Sequence, residues 1–363
     1  MNKSILFLVL FFVSCNSRTY HCSNMITLPV GESIGIENTE SQFVRLDDYV
    51  VIPLESSDST VIYNMNIYGM MNDKILLSSN NGVYSFKMDG KLEHTFCCHG
   101  TGPQEYVYIN DLTFNSSNGH IYIHDFSQKK INVYDSNGIY IKTIKNDSIA
   151  AFKMNGEGHF ITTFSPSEHW KYNIGVYDSL FSPIGMYIEN VPVNAEADLF
   201  TINSVYDFDG TNYVLLSDTL YAISESGALP YLEIDNGMLQ LPDIIGDRAA
   251  KRNERDNYVW GEYLYLVGKY CFLSYNFKGH TYYDVWNIVD ESLLLRNKVA
   301  YDDEGFGVPI MFGSDLIYLW PKAVIDETVY FVIYDEHMSQ FISGRSVEEN
   351  PIIILVNKED VKL

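Results

Sequence analysis

The chain has 363 residues, with 24 Lys and Arg against 47 Asp and Glu, a formal charge of −23, and 28 Tyr and 20 Phe. Hydrophobic residues make up 46% and charged residues 20%, which excludes a disordered acidic chain. The sign of the charge excludes a nucleic-acid binder, since phosphate contacts need clustered Lys and Arg.

Residues 1–15 read MNKSILFLVLFFVSC. Lys3 supplies a short positive start, and the apolar stretch from Ile5 to Val13 is about half of the ~20 residues a bilayer-spanning helix needs. The segment therefore reads as a signal peptide. Its end, Ser14-Cys15, resembles a bacterial lipobox, in which the cysteine is lipidated and becomes the mature N-terminus. Cys15 is the expected lipid anchor, residues 16–47 a tether and N-terminal segment, and 48–363 a single folded domain. Removing residues 1–14 takes away Lys3 alone and leaves a charge of −24. Cys22, Cys97, Cys98 and Cys271 would then stand in a compartment where disulfides persist, with their pairing open.

From about residue 61 the chain alternates short strands with turn residues. Val83-Tyr84-Ser85-Phe86, Asp89-Gly90 and Lys91 to Phe96 form one such unit. Ile131 to Tyr134, Asn137-Gly138 and Ile139 to Ile144 form the next, the Asn-Gly step being a hairpin signal. Leu220 to Ile223, Ser226-Gly227 and Tyr231 to Ile234 repeat the pattern. The turn glycines 90, 138 and 227 are spaced by 48 and then by 89 residues, close to one and two periods of about 45, the length of a propeller blade. Six units follow: about 61–97, 106–146, 149–190, 202–236, 257–298 and 306–345. The expected fold is all-β, a six-bladed β-propeller of four-stranded antiparallel blades. An insertion at about 237–256 carries a basic, helix-like run, Asp247 to Arg255. Asp48 to Leu54 is a strand that could complete the last blade, with 352–357 as its competitor or neighbour. Aromatic residues suit the broad interfaces between blades.

Between the first two units stands Gly100-Thr101-Gly102-Pro103-Gln104-Glu105-Tyr106. It resembles the G-x-G-P-G-E-Y motif of six-bladed β-propeller lipoproteins of Bacteroidetes, which are related in pattern to NHL-repeat propellers. Gln104 departs from the motif. Asp302 to Pro309 resembles the acidic, glycine-rich step into that family's last blade, and Val50 to Glu55 its opening strand. The resemblance implies a propeller, a location in the cell envelope and no catalytic residue set. Gly100, Gly102, Pro103, Glu105 and Tyr106 read as structural, the glycines allowing positive φ and Glu105 accepting from backbone donors.

No nucleophile elbow, zinc helix, phosphate loop or CxxC pair is present. His120 and His124 share a strand face but stand about 13 Å apart at ~3.3 Å per residue, too far to share a metal. First strands of blades line the axis, so Tyr68, Asn110, Asp111, Asn203, Tyr206, Asp207, Trp260 and Asp303 are the candidate ligand-binding residues. Phe306 joins them as a further liner. No cofactor is expected, although Asp111, Asp207 and Asp303 would suit a Ca²⁺ ion. The sequence thus points to a monomeric outer-membrane lipoprotein that binds a peptide, glycan or envelope protein without catalysis. Residues 16–20 lack the acidic cluster that the resemblance associates with surface export, which favours the periplasmic face. The alternative is a metal-dependent propeller hydrolase, lactonase or lyase, with the acidic axial residues as ligands and His120 or His124 as base.

Overall fold

A computed structural model describes residues 25–37, 42–57, 60–62, 64–79, 82–96, 99–146, 149–164, 171–189, 205–242, 252–301, 303, 305–334, 337–344 and 349–363. Among these, seven four- or five-stranded sheets surround an axis. Blade 1 is Asn66–Met71, Lys74–Ser79, Gly82–Lys87 and Leu92–Phe96, and blade 2 is Ile109–Asn115, His120–Asp125, Lys130–Tyr134 and Tyr140–Lys145. Blade 3 is Ile149–Met154, Phe160–Phe164, Tyr172–Tyr177 and Pro183–Glu189. Blade 4 is Val205–Phe208, Thr211–Leu216, Thr219–Ser224 and Gly227–Ile234, and blade 5 is Trp260–Val267, Tyr270–Phe277, His280–Asn287 and Ser292–Ala300. Each of these five is an antiparallel meander whose first strand lies innermost.

The protein is a seven-bladed β-propeller, which corrects the expected count of six. The unit read as 306–345 is divided between two sheets. Val308–Phe312 and Asp315–Leu319 form a hairpin in blade 6, completed by Val44–Leu46, parallel to the first strand, and by Val361–Lys362. Ala323–Ile325 and Thr328–Ile333 instead open blade 7, which Ile352–Asn357 and Val50–Pro53 complete. The N-terminal strand and 352–357 are thus neighbours, with Ile353 opposite Ile52 and Ile354 opposite Val51. Pro53 is tolerated because its strand is the outer edge of the sheet.

The innermost strands of blades 1, 2, 3, 4, 5 and 7 touch one another around the axis. Blade 6 packs against the outermost strand of blade 5 and the second strand of blade 7. Trp320, at the end of its hairpin, lies edge-on to Phe272 at 5.7 Å and against Tyr283 at 5.1 Å. The segment expected to be a tether up to residue 47 is partly built into the ring. Val44–Leu46 belongs to blade 6, and Ile26–Leu28 adds a fifth, parallel strand to blade 4.

The hairpin turns share one device. Asp135 accepts from the amides of Asn137 and Ile139, Asn155 from those of Glu157 and His159, and Asp178 from those of Leu180 and Ser182. A side-chain acceptor thereby replaces a strand partner at the turn. In the Asn137-Gly138 pair only the glycine has positive φ, at +80°, so the turn is not the primed two-residue type. The insertion opens with the 3₁₀ turn Gly237–Leu239 and closes with the short helix Arg252–Arg255, and the amide of Val259 returns to the Leu239 carbonyl. Residues 243–251 within it lie outside the described residues.

The core is a set of inter-blade layers. Blades 5, 6 and 7 share the largest, which includes Phe272, Val285, Leu295, Ile310, Phe331 and Ile354. On the opposite face of blade 5, in the layer shared with blade 4, a fully buried pair, Asp284 and Arg296, is held by Tyr275 and reaches Ser33 of the N-terminal segment. Cys271 is a buried free thiol; Cys15, Cys22, Cys97 and Cys98 lie outside the described residues. No helix among the described residues is long and apolar enough to cross a membrane.

Candidate functional site

The inner strands enclose an axial cavity of about 1120 Å³. It opens at the end where the first two strands of each blade are joined, and its mouth is bordered by the turns 115–118 and 155–159. Inner strands carry side chains alternately towards the axis and towards the flanking blade. Tyr68, Asn110, Asp111, Tyr206 and Asp207 line the cavity, together with Lys153, Tyr263, Tyr265, Lys322 and Asp326.

Two of these groups already have work within the fold. The Asn110 amide donates to the carbonyl of Ala150. Asp111 Oδ2 accepts from the amide of Phe152 at 2.9 Å, Oδ1 accepts from Leu112 at 2.8 Å, and Thr113 Oγ1 takes the Met154 amide at 2.9 Å. Blade 2 therefore fastens the inner edge of blade 3 through side chains, satisfying donors that a sheet edge leaves open. Burial still dominates the Asp111 carboxyl and pushes its pKa up to about 6, against those two amide bonds.

Lys153 and Asp207 differ. No hydrogen bond or ion pair joins Lys153 to a described residue, and Asp207 Oδ1 is buried without a partner. Burial lowers the lysine pKa, opposed by the charges of Asp207, Asp111 and Asp326. Burial raises that of Asp207, opposed by Lys153 and reinforced by Asp326. An ammonium and a carboxylate are thus brought to neighbouring inner strands of one cavity, each with unused capacity. Around them stand tyrosines: Tyr206 lies 5.8 Å from Tyr263, whose hydroxyl meets that of Tyr265 at 2.9 Å, and Tyr265 donates to the Lys322 carbonyl. Burial holds the Tyr68, Tyr263 and Tyr265 phenols protonated well into alkaline pH. The walls therefore offer neutral hydroxyls together with the charges of Lys153 and Asp207.

The other expected liners lie elsewhere. Trp260 sits at the start of its strand, at the end away from the mouth, before a bulge between residues 260 and 263 where Gly261 has φ +70°. The bulge changes the face that the strand presents, so Tyr263 and Tyr265 reach the cavity instead. Trp260 is covered by the Arg255 guanidinium, 3.7 Å from the ring, and donates to Asp256. Asp303 is exposed on the loop before blade 6, its amide bonded to the Ala300 carbonyl, and does not join Asp111 and Asp207. Phe306, on the same loop, is exposed and lies edge-on to Tyr283. Asn203 lies outside the described residues. His124 is buried in the layer between blades 2 and 3, edge-on to Phe152 at 5.7 Å, and burial pushes its pKa down to about 4. Neither it nor His120 lines the cavity. Sequence reasoning missed Lys153, Tyr263, Tyr265, Lys322 and Asp326, and of these Lys153 left a signal. Its signal was a lysine between buried Phe152 and Met154 in the first strand of the third unit.

The Gly100–Tyr106 loop is a fastening. Lys130, Asn132 and Tyr134, on one face of a blade 2 strand by alternation, donate to the carbonyls of Gly102, Glu105 and Gln104 at 2.9, 3.2 and 2.7 Å. Glu105 Oε2 accepts from the Gly102 amide at 2.7 Å, and Tyr106 is buried. Neither glycine has positive φ, contrary to expectation. A Cβ would stand 2.1 Å from the Glu105 carboxylate at Gly100 and 2.9 Å from it at Gly102, so both glycines leave room for the carboxylate that accepts from the Gly102 amide.

A family model described as "Domain of unknown function (DUF4934)" matches residues 26–357. The chain belongs to this family. The match begins at the strand that joins blade 4 and ends at the last residue of the Ile352–Asn357 strand in blade 7, so the family spans the ring. Among solved structures, the chain resembles a Bacteroides fragilis NCTC 9343 protein assigned to export, with a TM-score of 0.69 and 14% identity over 92% of this chain and 99% of that one. It also resembles a member of the duf4221 family from Bacteroides vulgatus, with a TM-score of 0.51 and 11% identity over 88% and 97% of the two chains. At these identities the likeness is one of fold. A comparison with curated proteins gives no match.

Proposed function

We propose that this member of the DUF4934 family is an exported, lipid-anchored, non-catalytic propeller whose axial cavity binds a glycan or short peptide. The observation that carries this reading is the pair of unpartnered charges, Lys153 and Asp207, in a tyrosine-lined cavity of about 1120 Å³. A buried carboxylate oxygen without a partner carries a desolvation cost, which a bound donor would offset. With Asp111, Asp207 and Asp326 set against Lys153 and Lys322, the lining suits a neutral or zwitterionic ligand better than a polyanion. The volume admits a few sugar rings or amino acids.

Export is supported by the character of residues 1–15 and by the assignment of the Bacteroides fragilis neighbour. Cys15 is the proposed lipid site, and the outer membrane the proposed location. Screening glycans and peptides against the purified mature chain tests the cavity. The expected result is a ligand whose affinity falls at least about tenfold with Lys153→Met or Asp207→Asn, the loss of one charge-assisted hydrogen bond. A ligand bound equally well by both variants would refute the axial reading. Fatty-acid labelling lost on Cys15→Ala would support the anchor.

A further inference from the structure

The mouth of the cavity carries a second constellation. Among the described residues, Glu157, His159 and Glu225 are the group whose ligating atoms all lie within 4.8 Å of one another. Glu157 and His159 stand on the turn joining the first two strands of blade 3, and Glu225 on the turn joining the last two of blade 4. An antiparallel meander brings both kinds of turn to the same end of the ring, so residues on different blades converge there.

His159 Nδ1 lies 3.0 Å from Glu225 Oε1 and 3.7 Å from Glu157 Oε2. This nitrogen is buried yet makes no hydrogen bond, because the nearby carboxylates lack the alignment that an N–H donor needs. Two carboxylates against an imidazole lone pair repel one another unless a cation stands between them.

We propose that Glu157, His159 and Glu225 form a divalent transition-metal site at the cavity mouth, bridging blades 3 and 4. With metal–ligand bonds of about 2.0–2.2 Å, neighbouring ligand atoms stand about 3.0–3.5 Å apart. The 3.0 and 3.7 Å separations match those edges within a few tenths of an ångström. Closing the remainder takes rotation of two glutamates whose side chains are 70% and 55% exposed. One imidazole nitrogen and two carboxylates suit Zn²⁺ or a similar first-row ion. Ca²⁺, which takes six to eight oxygen ligands, is poorly served.

The supports are already in place. Asn155 accepts from the Glu157 and His159 amides and fixes the turn, in which Gly158 has φ +82°. Tyr187 of blade 3 donates to the Glu225 carbonyl, holding the blade 4 turn against its neighbour. Three protein ligands leave at least one coordination position for water or for a group of the bound ligand. Because Glu157 and His159 also border the cavity, that position lies beside its opening.

The test is titration of the untagged, chelator-treated mature chain with Zn²⁺, read by calorimetry and by thermal melting without any cavity ligand. One equivalent should bind and raise the melting temperature. His159→Gln and Glu225→Gln should each weaken binding at least tenfold, while Lys153→Met, which alters the cavity, should leave it unchanged. No binding at 100-fold excess Zn²⁺ would overturn the site. Binding of equal strength in both site variants would overturn it as well, placing the metal elsewhere. Should a histidine variant fold poorly, Glu157→Gln, at the exposed end of the group, gives the same discrimination.

Discussion

Replacing Arg296 by Met should strip the N-terminal segment from the ring. Arg296 Nε and Nη2 donate to the two oxygens of Asp284 at 2.8 and 2.6 Å, with both side chains fully buried. Its Nη1 donates to the Ser33 carbonyl at 2.5 Å, and Nη2 to the Ser33 and Tyr275 hydroxyls at 3.0 and 2.8 Å. Removing one partner of a buried ion pair costs about 3–5 kcal/mol, because the other charge is left uncompensated. Ser33 can recover part of its loss by moving into water, so about 4 kcal/mol is expected at pH 7. Against a typical total of about 5–15 kcal/mol, that should show plainly in urea denaturation followed by tryptophan fluorescence.

The pH dependence carries a sign. Burial raises the Asp284 pKa and Arg296 lowers it, the former being the larger effect. Without the guanidinium the folded-state pKa rises further above the unfolded value of about 3.9. The folded state then holds a proton that the unfolded state has released, so stability falls as pH rises from about 4 through the folded pKa. The deficit of Arg296→Met should therefore be smaller at pH 5 than at pH 8. Replacing Asp284 by Leu in the same chain removes the stranded charge and should recover about 2–3 kcal/mol. Amides of residues 26–36 should exchange faster in the single variant. A cost under about 1 kcal/mol, or strict additivity of the two substitutions, would refute this account.

Two further outcomes follow from the site and its fastenings. Gly100→Ala should destabilise by about 1–3 kcal/mol, since its Cβ displaces a carboxylate that satisfies a backbone amide; Glu105→Ala should abolish the additional cost, so that the double variant melts with the Glu105 variant alone. Asp111, with its pKa near 6 in the folded state and about 3.9 unfolded, makes stability fall between pH 4 and 6 by up to about 3 kcal/mol. Denaturation midpoints of Asp111→Asn should lose that slope, and an unchanged profile would show that another group sets it.

Five blades were legible because each is a continuous meander in which every strand pairs with its sequence neighbour. Alternation and turn glycines such as Gly90 and Gly138 are local signals, and they survive without any knowledge of the ring. Blades 6 and 7 break that condition. Val44–Leu46 and Val361–Lys362 meet only because the ring closes, so no period in the sequence announces a sheet made from both ends of the chain and one hairpin. The cavity shows the same division. Their place on the first strands of blades put Tyr68, Asn110, Asp111, Tyr206 and Asp207 towards the axis, but a single bulge at Gly261 displaced Trp260 and brought Tyr263 inward. Lys153 was concealed by its neighbours: an inner strand reading IAAFKM resembles core, and the partners that make the lysine notable lie on other blades.

The polar groups around the axis divide by blade, and the division has a mechanical sense. Asn110, Asp111 and Thr113 fix the inner strand of blade 3 to blade 2, so Lys153 rides on an anchored strand. The next interface, between blades 3 and 4, is the thinnest apolar layer among the described residues, with Ile161, Ile174, Val176, Val214 and Ile223 as its buried members. Asp207 faces Lys153 across that same interface, and Glu157 and His159 face Glu225 at its rim. A ligand spanning the two free charges, or a cation held by the three rim residues, would add a polar tie where hydrophobic burial contributes least. Recognition and stabilisation of the 3–4 interface are then one event, which places the adaptable part of the ring where the unpartnered groups are.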